Sequence, residues 1–197
     1  MIIATVLKKG GEYHEGHVHA LRDMCSWHIP QGEFVCLTDG SPECEKIPLT
    51  KGWSGWWSKL ELFKLKGPVL YFDLDTVICG NCDHWLEKIK DKDFVILRDV
   101  YRGASYSKAM QSSIMYWSGN MSYIYTRFNQ NPVFDLPNGD QQFLEQNCSA
   151  EYLQDFTDDV VSFKADIQNG YNQHQASVIF FHGKPRPWEQ DIVSYLS

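Results

Sequence analysis

The stretch Pro68-Val-Leu-Tyr-Phe72 constrains this chain more than any other. It is apolar without alternation, so both of its faces need covering, and such a strand belongs in the middle of a sheet with layers on either side. Its surroundings fit that plan. Residues 2–7, IIATVL, form a second β-branched run that ends in the turn signal KKGG. A helix is expected from Glu15 to Cys25 or slightly beyond, with His17/Leu21 and Ala20/Met24 four apart and Pro30 as its stop. Phe34-Val-Cys-Leu-Thr38 reads as another strand, closed by Asp39-Gly-Ser-Pro, and Trp57 to Phe63 reads as a helix. Strands that alternate with helices argue for an α/β fold whose central sheet is mostly parallel. The second half is less regular. QSSIMYW and MSYIYTRF look strand-like or mixed, GDQQFLEQN starts a helix, SVIFFHG is a buried strand, and 128–139 reads as a surface loop.

Composition narrows the options. With 197 residues, 43% of them hydrophobic and 22% charged, the chain is too apolar for disorder and suits one domain over residues 1–197. The net charge of −7 is spread over both halves, and no basic face points to nucleic acid. The apolar run in MIIATVLKKGG is too short for a signal peptide, and no stretch approaches the ~20 residues of a membrane span, so the expected location is cytoplasmic. Six cysteines in a chain of this length do not make a disulfide scaffold. The sequons at Asn120 and Asn147 carry little meaning without secretion.

The sharpest chemical feature is Asp73-Leu-Asp75, at the carboxyl end of the central strand. Residues i and i+2 of an extended chain point the same way, so both carboxylates converge, and ligands of open α/β sheets bind at that end. Two like charges so close repel, and a divalent cation relieves the repulsion, commonly completing its shell with substrate phosphates. The plainer alternative is one aspartate capping a turn and the other solvated. Haloacid-dehalogenase-like phosphatases offer a third possibility, a DxDxT after a buried strand. Here Thr76 comes one position early and 72 residues precede the pair, which leaves a phosphatase as the minor alternative.

Six segments in order resemble glycosyltransferase family 8, the group of glycogenin and bacterial galactosyltransferases. They are TVLKKGGEY (5–13), SKLELF (58–63), VLYFDLDTVICGNCDHWL (69–86), QSSIMYW (111–117), NGDQQFLE (138–145) and FFHGKPRPW (180–188). The resemblance implies a single GT-A-like domain, with a central mixed, mostly parallel sheet flanked by helices. It also implies a metal-dependent enzyme moving a hexose from a UDP-linked donor to a carbohydrate, lipid or protein acceptor, with retention of configuration. A rival keeps the fold as a non-catalytic nucleotide-sugar or metal-binding protein.

By the same resemblance Asp73, Asp75 and His182 would hold Mn²⁺ or Mg²⁺, and an imidazole ligand favours Mn²⁺. Leu7 and Tyr13 would lie against uracil, with Lys8 near the ribose or diphosphate. Leu74 and Lys59 would reach the donor, and Ser112 and Ser113 stand where the family has Asn-Ser-Gly. Asp140 and Gln141 would face the sugar as the catalytic pair. The last segment is two residues shorter than the family pattern, so either Lys184 or Arg186 would be the diphosphate-binding cation.

Other signals have bland explanations. His14, His17 and His19 lack a Cys or carboxylate at ligand spacing and read as a solvated helix start. Cys79-Gly-Asn-Cys82 has no second pair at zinc-ribbon spacing and reads as two idle thiols. Trp53, Trp56 and Trp57 are either packing or a stacking surface for a sugar or base. Lys51, Lys59, Lys64 and Lys66 read as a mostly solvated face, with Lys59 the exception.

Overall fold

The structure, a computed structural model, describes residues 1–190. The chain runs β1 (Ile2–Leu7), α1 (Glu15–His28), β2 (Glu33–Thr38), β3 (Glu45–Pro48), a 3₁₀ helix (Gly55–Lys64), β4 (Val69–Phe72) and β5 (Thr76–Ile78). It continues with α2 (Asp83–Ile89), β6 (Phe94–Arg98), β7 (Met110–Trp117), α3 (Ser122–Gln130), α4 (Gly139–Asn147), β8 (Glu151–Tyr152), β9 (Val160–Ser162) and β10 (Val178–Phe180). Seven strands form one sheet in the order β3-β2-β1-β4-β7-β6-β8, and β5-β10-β9 form a second, smaller sheet. The large sheet is mixed. β3, β2, β1 and β4 are mutually parallel, β7 is antiparallel to both its neighbours, and β6 pairs with β8 in parallel.

The absence of alternation in β4 has the cause expected. Leu70 and Phe72 point to one face of the sheet with Ile3, Leu7, Ile114 and Tyr116, where α1, α2 and the small sheet cover them. Val69 and Tyr71 point to the other with Ala4, Met115 and Trp117, beneath the 3₁₀ helix, α3 and α4. All four β4 residues are buried.

Two elements differ from expectation. MSYIYTRF is helical because its buried residues Ile124 and Phe128 are four apart, one apolar stripe against the core, while Tyr123, Thr126 and Arg127 are exposed. The segment from Trp57 is a 3₁₀ rather than an α-helix. Trp57, Leu60 and Phe63 recur every third residue, the spacing that a three-residue turn places in one row, and all three are buried.

The topology brings three chain ends to one place. β1 and β4 are parallel neighbours, so their carboxyl ends lie side by side. β7 is antiparallel to β4 with Phe72 opposite Ile114, so its first residues flank Asp73, whose N–H donates to the Ser113 carbonyl at 2.8 Å. β5 starts right after Asp75, and Thr76 pairs with Phe180 of β10, which returns the chain at His182 to the same edge.

Candidate active site

Above these strand ends opens a cleft of about 780 Å³, the size of a small-molecule site. One wall is the segment from Lys8 to Tyr13 after β1, and the opposite wall is built by 54–59 and 137–141. Asp73, Leu74 and Asp75 form the floor between them, and Phe181, His182, Gly183 and Arg186 close a third side.

Lys59 organises one half. The 3₁₀ helix points its ammonium at both oxygens of Asp73, at 2.8 and 2.9 Å, and at Ser112 Oγ at 3.3 Å. Ser112 in turn donates to Asp140 Oδ2 at 2.6 Å, and Lys59 stands 4.0 Å from the same carboxylate. Burial works against the lysine charge, but the attraction of Asp73 and Asp140 outweighs it and holds the pKa above the ordinary value. Asp140, 4% exposed, is held above the usual carboxylate range by burial, which the Lys59 charge and the Ser112 hydroxyl only partly offset. Tyr71 donates a hydrogen bond to Asp73 from below.

Asp75 organises the other half. Its carboxylate accepts from Tyr13 Oη at 2.9 Å and pairs with Arg186, whose second amino group binds Glu12. Burial and the adjacent Asp73 charge raise its pKa to about 6. The Arg186 guanidinium also lies over the Tyr13 ring, 5.3 Å from its centroid, and its Nε is buried with no hydrogen-bond partner among the described residues. Trp188 stacks on His17 at 4.0 Å and pins the segment to α1.

Most expected residues meet here. Lys8, Tyr13, Lys59, Asp73, Leu74 and Asp75 line the cleft, as do Ser113, Asp140, Gln141, His182 and Arg186. Ser112 lies just beneath, fully buried. The expectation for Leu7 needs correction, and the structure specifies the surroundings of Lys184, Arg186 and His182. Leu7 is in the core with α1, because the alternation of β1 turns it away from the cleft and presents Val6 instead. Lys184 is 65% exposed outside the lining and pairs with Glu189, so Arg186 is the cation that faces Asp75. His182 lines the cleft but binds Ser162 Oγ through Nε2 at 2.8 Å, and among the described residues no three His, Cys, Asp or Glu side chains are close enough to hold a metal ion.

The donor set nonetheless suits a cation of the Mg²⁺ or Mn²⁺ kind. Such ions are held by one or two carboxylates and complete their shell with substrate oxygens. Asp73 and Asp75 supply two neighbouring carboxylates, and burial together with the Asp73 charge raises the pKa of Asp75. Burial and the Lys164 charge lower the pKa of His182, which favours the neutral form with a lone pair to give.

The histidines near α1 are structural. His14 Nδ1 accepts from Gly16, His17 Nδ1 accepts from the His14 N–H in return, and His19 accepts from Glu43. Cys79 and Cys82 are free thiols raised by burial, Cys79 to about 11. Glu12, Gln111 and Asn138 also line the cleft and carried no signal in the sequence, since each is an ordinary polar residue in a loop or at a strand end.

No protein-family model matches the sequence, and no curated protein matches it. Solved structures do match the fold. The apo form of the glycosyltransferase GlyE of Streptococcus pneumoniae TIGR4 superposes with a TM-score of 0.69 at 11% identity, over 96% of this chain and 56% of that one, so the chain spans little more than half the length of GlyE. The galactosyltransferase LgtC, solved with donor and acceptor sugar analogues, matches with a TM-score of 0.57 at 11% identity over 98% and 91% of the two chains. A glycosyltransferase involved in the glycosylation of the major capsid of PBCV-1 matches with a TM-score of 0.57 at 11% identity over 93% and 96%. The fold of this chain is therefore that of glycosyltransferases, the GT-A-like α/β arrangement that its six segments resemble.

Proposed function

We propose that the protein is a glycosyltransferase that moves a hexose from a UDP-linked donor to an acceptor with retention of configuration, assisted by a divalent cation, Mn²⁺ or Mg²⁺. The observation that carries this reading is the continuous network from Asp73 through Lys59 and Ser112 to Asp140, laid along one wall of a cleft at the strand ends.

Tyr13 and Lys8 line the β1 side, where a base and ribose would lie, with Lys8 steadied by Asp39. Asp73 and Asp75 would hold the cation, with His182 as the further candidate ligand; when bound, the cation supplies positive charge to the diphosphate leaving group. Arg186 offers a planar fork to the same phosphates once it leaves Asp75, and its buried, unpaired Nε–H is ready for an oxygen acceptor. Lys59 holds Asp73 in place through contacts to both carboxylate oxygens. Asp140 faces the sugar as a preorganised negative charge for the developing oxocarbenium centre, and Gln141 beside it is fixed by Arg102 at 3.2 Å.

Calorimetric titration with UDP, with and without Mn²⁺, followed by an assay of UDP-hexose hydrolysis, tests this reading. Metal-dependent UDP binding with slow donor hydrolysis is expected. Binding without turnover would mark a non-catalytic nucleotide-sugar protein, and phosphate release from small esters without nucleotide would mark a phosphatase.

A further inference from the structure

The three tryptophans of GWSGWW have separate fates. Trp53 and Trp57 are 8% and 4% exposed and pack on Phe128. Trp56 is 56% exposed and lines the cleft. A large apolar ring left open to water inside a cleft calls for a partner.

The ring is seated from behind. Gly139 has φ +56°, and a Cβ there would lie 2.6 and 2.8 Å from Cδ1 and Cε2 of Trp56 and closer still to Nε1. Those three atoms all belong to the five-membered ring at similar distances, so the glycine backbone packs under the ring's face rather than against its edge. Sealing one face of an indole leaves the other as a flat platform. Gly139 is followed by Asp140, so the platform stands next to the buried carboxylate, on the wall opposite Lys8 and Tyr13.

We propose that Trp56 is the platform of the acceptor subsite and that the acceptor presents a sugar ring there; its role as acceptor subsite rests on the glycosyltransferase reading of the cleft. The C–H face of a pyranose carries partial positive charge and meets the negative face of the indole, while its hydroxyls remain free for polar neighbours. Asn138, Ser54 and Gln141 line the same wall and supply them. A nucleotide base is the poorer occupant, because the donor reading already places the base beside Tyr13, another residue of the lining.

Saturation-transfer NMR on the full chain with methyl β-D-glucopyranoside, methyl β-D-galactopyranoside and the methyl glycoside of N-acetylglucosamine reads the subsite. At least one should receive saturation on its C–H protons. Trp56→Ala should weaken that glycoside by roughly tenfold, Trp56→Phe should retain most of the binding, and Trp27→Ala, on α1 outside the lining, should match the wild type. Absence of glycoside binding in the wild type, or equal binding by Trp56→Ala, overturns the proposal. UDP titrated into the same samples tests the donor reading separately. UDP binding with glycoside binding indifferent to Trp56 removes the platform alone. Glycoside binding that depends on Trp56 without any UDP binding supports the sugar platform and removes the donor reading.

Discussion

Arg186 and Asp75, 111 positions apart in the chain, meet in a direct ion pair on the floor of the cleft, with the guanidinium bridging on to Glu12. The pair sets a positive charge against the buried one of two adjacent carboxylates. Removing one partner of a buried pair leaves an uncompensated charge and costs roughly 3–5 kcal/mol. Arg186→Ala should therefore lower the melting temperature in metal-free buffer, and Mn²⁺ should recover part of the loss by taking the place of the guanidinium. Thermal melts of both proteins with chelator and with MnCl₂ check this, and a variant no more responsive to Mn²⁺ than the wild type would speak against Asp75 as a ligand.

Ser112 should matter for pH dependence more than for folding. Its hydroxyl stabilises the ionised form of Asp140, whose pKa burial already raises. Ser112→Ala removes that hydrogen bond, the pKa rises further, and the carboxylate is lost at a higher pH. The acid limb of donor turnover should move to higher pH in the variant, because the hydrogen bond that favoured the charged form is gone. A pH profile identical to the wild type would exclude Asp140 as the ionised group that turnover needs.

Glu61 is a structural counterpart. Fully buried in the 3₁₀ helix, it accepts from Thr50 Oγ1 at 2.8 Å, from the backbone N–H groups of Thr50 and Lys51, and from Lys64 at 2.6 Å. Burial pushes its pKa up, but Lys64 and the hydrogen bonds outweigh that and leave it below the ordinary value of 4.5. A depressed carboxylate stabilises the fold above its unfolded pKa and loses that contribution as pH falls through the folded one. Glu61→Ala should cost roughly 3–5 kcal/mol at pH 7, and Glu61→Gln less. Denaturant titrations at pH 7 and pH 3.5 should show the gap between wild type and Glu61→Gln closing in acid.

Cys79 and Cys82 should be chemically quiet. Both thiols are shifted upward by burial, so little thiolate exists at neutral pH. Slow alkylation by iodoacetamide under native conditions, and donor turnover by Cys79→Ser/Cys82→Ser within about twofold of the wild type, are the expected results. Rapid alkylation would point instead to reactive thiols.

Much of the fold was legible because it rests on period and burial. Residues 69–72 read as a two-sided strand from four consecutive apolar residues, and they are one. MSYIYTRF was ambiguous because Met121, Ile124 and Phe128 alternate with tyrosines and polar residues in a stretch of mixed propensity, and the choice fell to packing against the 3₁₀ helix. The assignment of Leu7 failed on parity. A one-residue step along a strand changes the face, and the cleft takes Val6 and Lys8 while the core takes Leu7.

Sequence alone pointed to Asp73 and Asp75 as a carboxylate pair, since two acids two residues apart after a buried strand stay close neighbours. The structure puts them in the turn between β4 and β5, closed by the Thr76 N–H to the Asp73 carbonyl, and not on one extended strand. Sequence also determined the order of the segments that build the cleft. Tertiary structure decided which charges face one another. Lys59 meets Asp73 and Asp140, Arg186 rather than Lys184 meets Asp75, and Trp56 rather than Trp57 stays open to the cleft. These pairings depend on the antiparallel placement of β7 beside β4 and of β10 beside β5. Contacts between residues so far apart in the chain are set by how sheets and helices pack, and no local pattern encodes them.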